Sequence, residues 1–131
     1  MCAPFSPAER ASNLFDGAEV LHVAPYFESV TRIKSQWREL RGAQIAVRAA
    51  PGMTRQSLTL RARCQVADGA SAYPGAQHSP LAAGPVDVAV REFSTGFTLF
   101  IRTQHPDKAQ AQLILERSRG LVQATDDNEP R

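Results

Sequence analysis

The clearest structural signal lies in residues 86–102, which read Val-Asp-Val-Ala-Val-Arg-Glu-Phe-Ser-Thr-Gly-Phe-Thr-Leu-Phe-Ile-Arg. Apolar residues alternate with polar or small residues over 86–90 and, apart from Phe100, again over 97–101. A period of two predicts β-strands, and Ser94-Thr95-Gly96 between them predicts a turn. We therefore expect a β-hairpin whose two apolar ridges face inward and are covered by the last helix.

A helix is predicted over residues 25–41, because apolar residues recur there at steps of three and four and Gly42 follows as a stop. The residues on this apolar stripe are Phe27, Val30, Trp37 and Leu40. We expect Trp37 to anchor the core, since its neighbours on the same face are apolar. Residues 43–50 then alternate in polarity and predict a strand.

Residues 55–67 fit two structures. Polar and apolar residues alternate over most of this stretch, which favours a strand, whereas Thr54 is a good N-cap and Leu58 and Ala62 stack at helical spacing. We predict a helix and keep the strand as the alternative. Residues 68–85 are rich in Gly, Pro and small side chains, and they predict a long mobile or functional loop.

The last helix is predicted over residues 105–120, with Pro106 in its first turn. The order of elements predicts an α+β fold with a three-stranded sheet and helices packed on one face. This is a ferredoxin-like βαββα unit preceded by an additional helix. We expect one domain over residues 25–122, a loosely ordered N-terminal arm over 1–24 and a disordered tail over 123–131.

The composition excludes several classes of protein. Apolar residues make up 43% and charged residues 21% of the chain, so neither wholesale disorder nor a coiled coil is expected. No apolar run exceeds four residues, which is too short to cross a bilayer. The net charge of +2 does not by itself imply a polyanionic partner.

The first functional hypothesis is a small, non-enzymatic binding or protein-interaction module. The chain has no glycine-rich phosphate loop, serine-hydrolase elbow or zincin motif, so we predict neither an enzyme nor a cofactor. Phe100 points away from the inward ridge of its strand, and a small sheet has exposed edges. The partner is expected to be another protein or a second copy of the chain. The predicted binding surface comprises Phe100, Tyr73, Arg61, Arg63 and Arg48.

Two alternatives remain open. Cys64 and His78 could bind a soft metal such as copper or zinc if the loop between them folds back. The arginine-rich segment over 32–63, with eight basic residues and one acidic residue, could bind nucleic acid. A structural disulfide is not expected, because Cys2 and Cys64 lie in very different contexts.

Several short motifs resemble a group of small exported bacterial proteins of uncharacterised function. The motifs are Leu40-Arg41-Gly42-Ala43, Val47-Arg48-Ala49, Pro51-Gly52-Met53-Thr54, Cys64, Ser79-Pro80-Leu81 and Thr95-Gly96-Phe97. In that group the cysteine is followed by histidine and the later motif reads Cys-Pro-Leu, which implies a metal or disulfide set. This chain has Gln65 and Ser79 at those positions. The resemblance implies a helix at 55–67 and a periplasmic or exported location, with the cytoplasm as the alternative if Met1 is the native start.

Overall fold

The computed structural model describes residues 14–71, 73 and 75–127. Within these residues the chain forms four strands and two helices. The strands are β1 (Val20–Arg32), β2 (Ser35–Arg48), β3 (Val86–Phe93) and β4 (Gly96–Thr103), and the helices are α1 (Arg55–Asp68) and α2 (Lys108–Asp127). Every neighbouring pair in the sheet is antiparallel, and the strand order is β1-β2-β4-β3. The α+β class is therefore confirmed, whereas the predicted three-stranded sheet is wrong.

The predicted helix over 25–41 is also wrong, because this segment belongs to the β1–β2 hairpin. The strands meet at the turn Ile33-Lys34, and Val30 lies opposite Trp37 while Phe27 lies opposite Leu40. Phe27 and Leu40 lie equally far from this turn, as do Val30 and Trp37. The separations between these four residues along the chain, of three and seven positions, are also those of one face of a helix. The same apolar spacing therefore fitted a helix, and the topology is ββαββα instead of a ferredoxin-like βαββα unit.

The β3–β4 hairpin with inward-facing ridges is confirmed, but β3 packs against α1 and not, as predicted, against the last helix. Its two-residue turn is Ser94-Thr95, and Val88 lies opposite Ile101 while Val90 lies opposite Leu99. These inward side chains are buried together with Ile45 and its neighbours on β2. Because the inward residues of the sheet share one core cluster with residues of both helices, α1 and α2 pack on the same face.

Both helices begin with a side-chain cap. Thr54 and Ser57 form a reciprocal capping box at α1, which confirms the predicted helix over 55–67 and excludes the strand alternative. At α2, the Asp107 carboxylate accepts a hydrogen bond of 3.0 Å from the Gln110 backbone N–H. The backbone of α2 continues to Asp127, beyond the end predicted at residue 120, and residues 128–131 of the predicted tail lie outside the described residues.

Residues before 25 take part in the core and in the sheet. Leu14 and Phe15 are buried in the core, and β1 starts at Val20, so the predicted arm contributes to the fold from residue 14 onward. Residues 1–13 of that arm lie outside the described residues. The predicted loop over 68–85 forms short 3-10 turns, and Leu81 is fully buried among the core side chains.

A β-bulge at Arg41 and Gly42 shapes the end of the central strands. Tyr26 lies opposite Gly42 and Phe27 lies opposite Leu40, so Arg41 is the extra residue on β2. A β-carbon at Gly42 would overlap the carbonyl oxygen of Ile101 on β4. Only glycine therefore allows β2 and β4 to approach this closely, and the bulge re-aims the Arg41 side chain.

Candidate functional site

The two faces of the sheet differ in what covers them. The inner face is covered by α1 and α2 and is fully apolar near its centre. The other face, which we call the outer face, carries half-buried and exposed side chains. Its residues include Ala24, Tyr26, Gln44, Asp87, Ala89, Arg91, Thr98, Phe100 and Arg102.

An aromatic pair lies at the middle of the outer face. Tyr26 on β1 and Phe100 on β4 meet edge to face, with their ring centroids 5.6 Å apart. The two strands are not neighbours, because β2 lies between them. Since Gly42 lies opposite both Tyr26 and Arg102 and has no side chain, the tyrosine ring can lie across β2 and reach β4. The guanidinium of Arg91 lies 5.4 Å from the Phe100 centroid, a cation–π contact.

A chain of ion pairs links all four strands beside these rings. Glu28 on β1 accepts from the Nη1 of Arg41 at 2.8 Å and from the Nη1 of Arg102 at 2.6 Å. The Tyr26 hydroxyl donates to the same carboxylate at 3.4 Å. Arg102 also lies 3.7 Å from Asp87 on β3. The hydrogen bond to Glu28 raises the pKa of Arg102 and so stabilises the charged form of this guanidinium.

Arg41 holds the end of β4 as well as Glu28. Its Nε donates to the Thr103 hydroxyl at 3.0 Å and its Nη2 donates to the Thr103 carbonyl at 2.6 Å. Both residues are buried. Because the bulge turns Arg41 toward β4, its guanidinium binds both the Glu28 carboxylate on β1 and Thr103 at the end of β4.

A cavity of about 620 Å³ begins on the outer face and curves around the free edge of β3 to α1. On the outer face it is lined by the two aromatic rings and by Arg91, and on the helix side by Arg63 and Val66. Four consecutive residues of β3, Val86 to Ala89, line it between these walls. We call this cavity the β3 groove. It is a cleft between an edge strand and a helix.

The backbone of β3 contributes hydrogen-bonding groups to this groove. The Gln104 N–H bonds to the Pro85 carbonyl, and in an antiparallel pair alternate residues then face the partner strand. Asp87, Ala89 and Arg91 therefore direct their N–H and C=O groups toward β4. Val86, Val88 and Val90 direct theirs away from β4, toward the groove.

The charge of the groove is positive. Arg63, Arg91 and Arg102 line it together with a single carboxylate, that of Asp87. Arg102 is engaged by Glu28 and Asp87. Within the described part of the chain, neither Arg63 nor Arg91 forms an ion pair, so both guanidinium groups are available to an incoming anion.

The structure brings together only two residues of the predicted binding surface, Phe100 and Arg63, which both line the β3 groove. Tyr73 lines a second cavity of about 440 Å³ between the 3-10 turns and α2, as does His78. Arg48 pairs with Glu19 at 2.7 Å at the opposite end of β2. Arg61 lies half-buried on α1 and does not line the groove.

The structure does not place the predicted metal ligands, Cys64 and His78, in a metal site. Cys64 is buried on α1 and is held in a disulfide, contrary to the expectation that no disulfide forms. The other cysteine of the sequence, Cys2, lies outside the described residues. A disulfide sulfur is not the thiolate that a soft metal requires, so Cys64 would have to be reduced before it could act with His78. Among the described residues, no three His, Cys, Asp or Glu side chains cluster as metal ligands.

Sequence reasoning missed Tyr26, Glu28, Arg41 and Arg102. Three of these residues lie in or next to the segment that was predicted as a helix, where no face of a sheet could be assigned to them. A turn at residues 33–34 would have been the necessary signal, but the sequence there is Ile-Lys, without the Gly or Asn that usually marks a hairpin.

Comparison with known proteins identified no relative of this chain. The chain matched no protein-family model, no curated protein sequence and no solved structure. In the part of the chain that the structure describes, neither helix is long and apolar enough to cross a membrane.

Proposed function

We propose that the protein is a non-enzymatic interaction module that binds an extended, acidic segment of a partner protein in the β3 groove. The observation that carries this proposal is the groove itself, a cleft between an edge strand and a helix with two arginines that form no ion pair with any described residue. Clefts of this form accept a peptide as an added strand, in which main-chain hydrogen bonds supply affinity and alternate side chains supply specificity.

The added strand would pair with the free backbone groups of Val86, Val88 and Val90. Its side chains would alternate between the outer face, beside Arg91 and Phe100, and the helix side, beside Arg63 and Val66. A carboxylate on either side meets an arginine, and an apolar side chain meets a ring or a valine. An alternating acidic and apolar segment therefore fits the groove best.

The disulfide at Cys64 supports a periplasmic or otherwise exported location, because disulfides persist in oxidising compartments and are rare in the cytosol. The resemblance to small exported bacterial proteins points the same way. We propose that the partner is met outside the cytoplasm. The alternatives in which the chain binds metal or nucleic acid receive no comparable support from the site.

The test uses a fluorescent eight-residue peptide of alternating Asp and Val, with an alternating Lys and Val peptide as the control. Fluorescence anisotropy should detect binding of the acidic peptide only. The double variant Arg63→Glu/Arg91→Glu should weaken binding at least tenfold. The matched variant Arg55→Glu/Arg119→Glu makes the same change of charge on exposed helix positions outside the groove and should bind as the parent protein does.

Strand addition makes a second demand on the peptide. If every second amide is N-methylated, one of the two possible methylation patterns should abolish binding and the other should preserve it, because only one set of N–H groups faces β3. Equal binding of both methylated peptides would refute pairing with the edge. Self-association of the unliganded protein, weakened by the acidic peptide, would assign the edge to a second copy of the chain and would also contradict the proposal.

A further inference from the structure

The end of the β1–β2 hairpin extends beyond the rest of the sheet. β2 pairs with β4 only from Gly42 to Arg48, so the residues from 29 to 38 pair with each other alone. We call these ten residues the hairpin tip. Ile33 stands at its apex with 93% of its surface exposed, and Trp37 is 40% exposed. An isoleucine this exposed contributes nothing to the core of the protein.

The hairpin tip is also strongly basic. Arg32, Lys34 and Arg38 are all exposed, and no acidic residue lies between residues 29 and 38. None of the three cations forms an ion pair within the described residues. Arg32 instead lies 5.7 Å from the ring centroid of Trp37. The tip therefore combines an apolar apex, an aromatic side chain and a ring of available positive charge.

We propose that the hairpin tip inserts into the surface of an anionic phospholipid bilayer. Tryptophan is enriched at the interface between lipid and water, and each basic residue near an anionic surface adds to the attraction. The apex isoleucine would enter the acyl boundary, while the arginines and the lysine would contact the headgroups. This inference is independent of the β3 groove, because no residue of the hairpin tip lines that groove.

A nucleic acid could match the same charge, but two features favour lipid. The apex is apolar and points outward, with no hydrogen-bonding side chain between Arg32 and Lys34. The disulfide at Cys64 indicates an oxidising compartment, where nucleic acid is not the prevailing polyanion. The proposal therefore commits to a membrane surface, and nucleic-acid binding becomes an outcome that the experiment can detect.

The chain carries its own reporter, because Trp37 is the single tryptophan in the sequence. Full-length protein is titrated with vesicles of phosphatidylcholine and phosphatidylglycerol at a 3:1 ratio, and separately with pure phosphatidylcholine, at low salt. We expect a blue shift of the Trp37 emission with the anionic vesicles only, and quenching when the lipids carry brominated chains. Raising the salt concentration should reverse the shift.

Two variants and their matched controls make the test specific. Ile33→Asp should weaken vesicle binding at least tenfold, and Arg32→Ser/Lys34→Ser should weaken it by about 25-fold, at about fivefold per cation. Phe93→Asp, beside the turn of the other hairpin, and Arg55→Ser/Arg119→Ser should bind as the parent does. Thermal melting confirms that each variant is folded, and Trp37 remains in all of them.

The proposal is overturned if the parent protein gives no shift with anionic vesicles, or if the controls lose as much binding as the tip variants. It is also overturned if Ile33→Asp binds unchanged, since the apex would then not enter the bilayer. A shift caused by a 20-base-pair DNA duplex, with none caused by the vesicles, would assign the tip to nucleic acid instead.

Discussion

The β1–β2 hairpin has strands of 13 and 14 residues, whereas both strands of the β3–β4 hairpin have eight. Each hairpin places its second strand at the centre of the sheet and its first strand at an edge. β3 and β4 lie against the helices along most of their length, and their inward side chains are buried. The longer hairpin extends beyond the rest of the sheet, and the ten residues of the hairpin tip have no third strand beside them.

This difference explains what each hairpin can do. The short hairpin ends in a two-residue turn next to the body and offers its free edge, with the β3 groove beside it. The long hairpin offers its tip, where Trp37 is covered on one side by Arg32 and otherwise faces solvent. Phe27, just outside the tip, is covered by Arg38 in the same way. The two hairpins join at Gly42 and Arg41. The positions of the β3 groove and of the hairpin tip therefore both depend on the contacts that these two residues make.

Breaking that join should have the largest effect on stability. Gly42→Ala places a β-carbon against the Ile101 carbonyl, and we expect it to lower the free energy of unfolding by about 3 to 5 kcal/mol. The matched change Gly120→Ala on α2, where a β-carbon meets nothing within 4 Å, should raise that free energy by about 0.5 to 1 kcal/mol. Urea denaturation measures both, and equal stability of the two variants would mean that β2 and β4 are not this close.

Removing the Arg41 side chain should have the next largest effect. Arg41→Ala leaves the buried hydroxyl and carbonyl of Thr103 without their donor and removes one of the donors to the Glu28 carboxylate, at an expected loss of about 2 to 4 kcal/mol. Arg48→Ala breaks the exposed pair with Glu19 at the other end of β2 and should cost less than about 1 kcal/mol. If the two variants unfold at the same denaturant concentration, Arg41 does not tie β1 to β4.

The smallest effect is expected at the turn of the long hairpin. Lys34 adopts a positive φ of 69°, which glycine adopts without the steric cost of a β-carbon. Lys34→Gly should therefore raise the free energy of unfolding by about 0.5 to 1 kcal/mol. Thermal melting of Lys34→Gly is compared with that of Ser35→Gly, at the first residue of β2. This control shows whether a rise in melting temperature comes from the turn geometry or from any added glycine. A lower melting temperature for Lys34→Gly would contradict the turn geometry.

The sequence was sufficient to predict the secondary structure of an element wherever one face of that element is buried. Alternation is unambiguous in β3 and β4 because the inward side chains of both strands are covered along most of their length, and Thr54 marked the start of α1. It was insufficient in the long hairpin, because the exposed tip has no buried face to impose a period of two. Phe27, Val30, Trp37 and Leu40 then fitted a helix as well as they fitted a hairpin.

The candidate site was predictable only in part for the same reason. Phe100 stood out because it breaks the alternation of its own strand, and Arg63 because it lies in the basic segment. Tyr26 and Phe100 meet across β2 only because Gly42 has no side chain, a contact between residues 74 positions apart in sequence. Such a contact depends on strand order and register, which local patterns do not contain.

The central claim is that the free edge of β3 accepts an added strand, and NMR spectroscopy of the isotope-labelled protein with the Asp-Val peptide tests it most directly. We predict that the largest amide shifts occur at Val86, Val88 and Val90, together with nuclear Overhauser effects from these amides to the α-protons of the peptide. Shifts confined to the hairpin tip or to the cavity around Tyr73, with the three valine amides unmoved, would contradict the account.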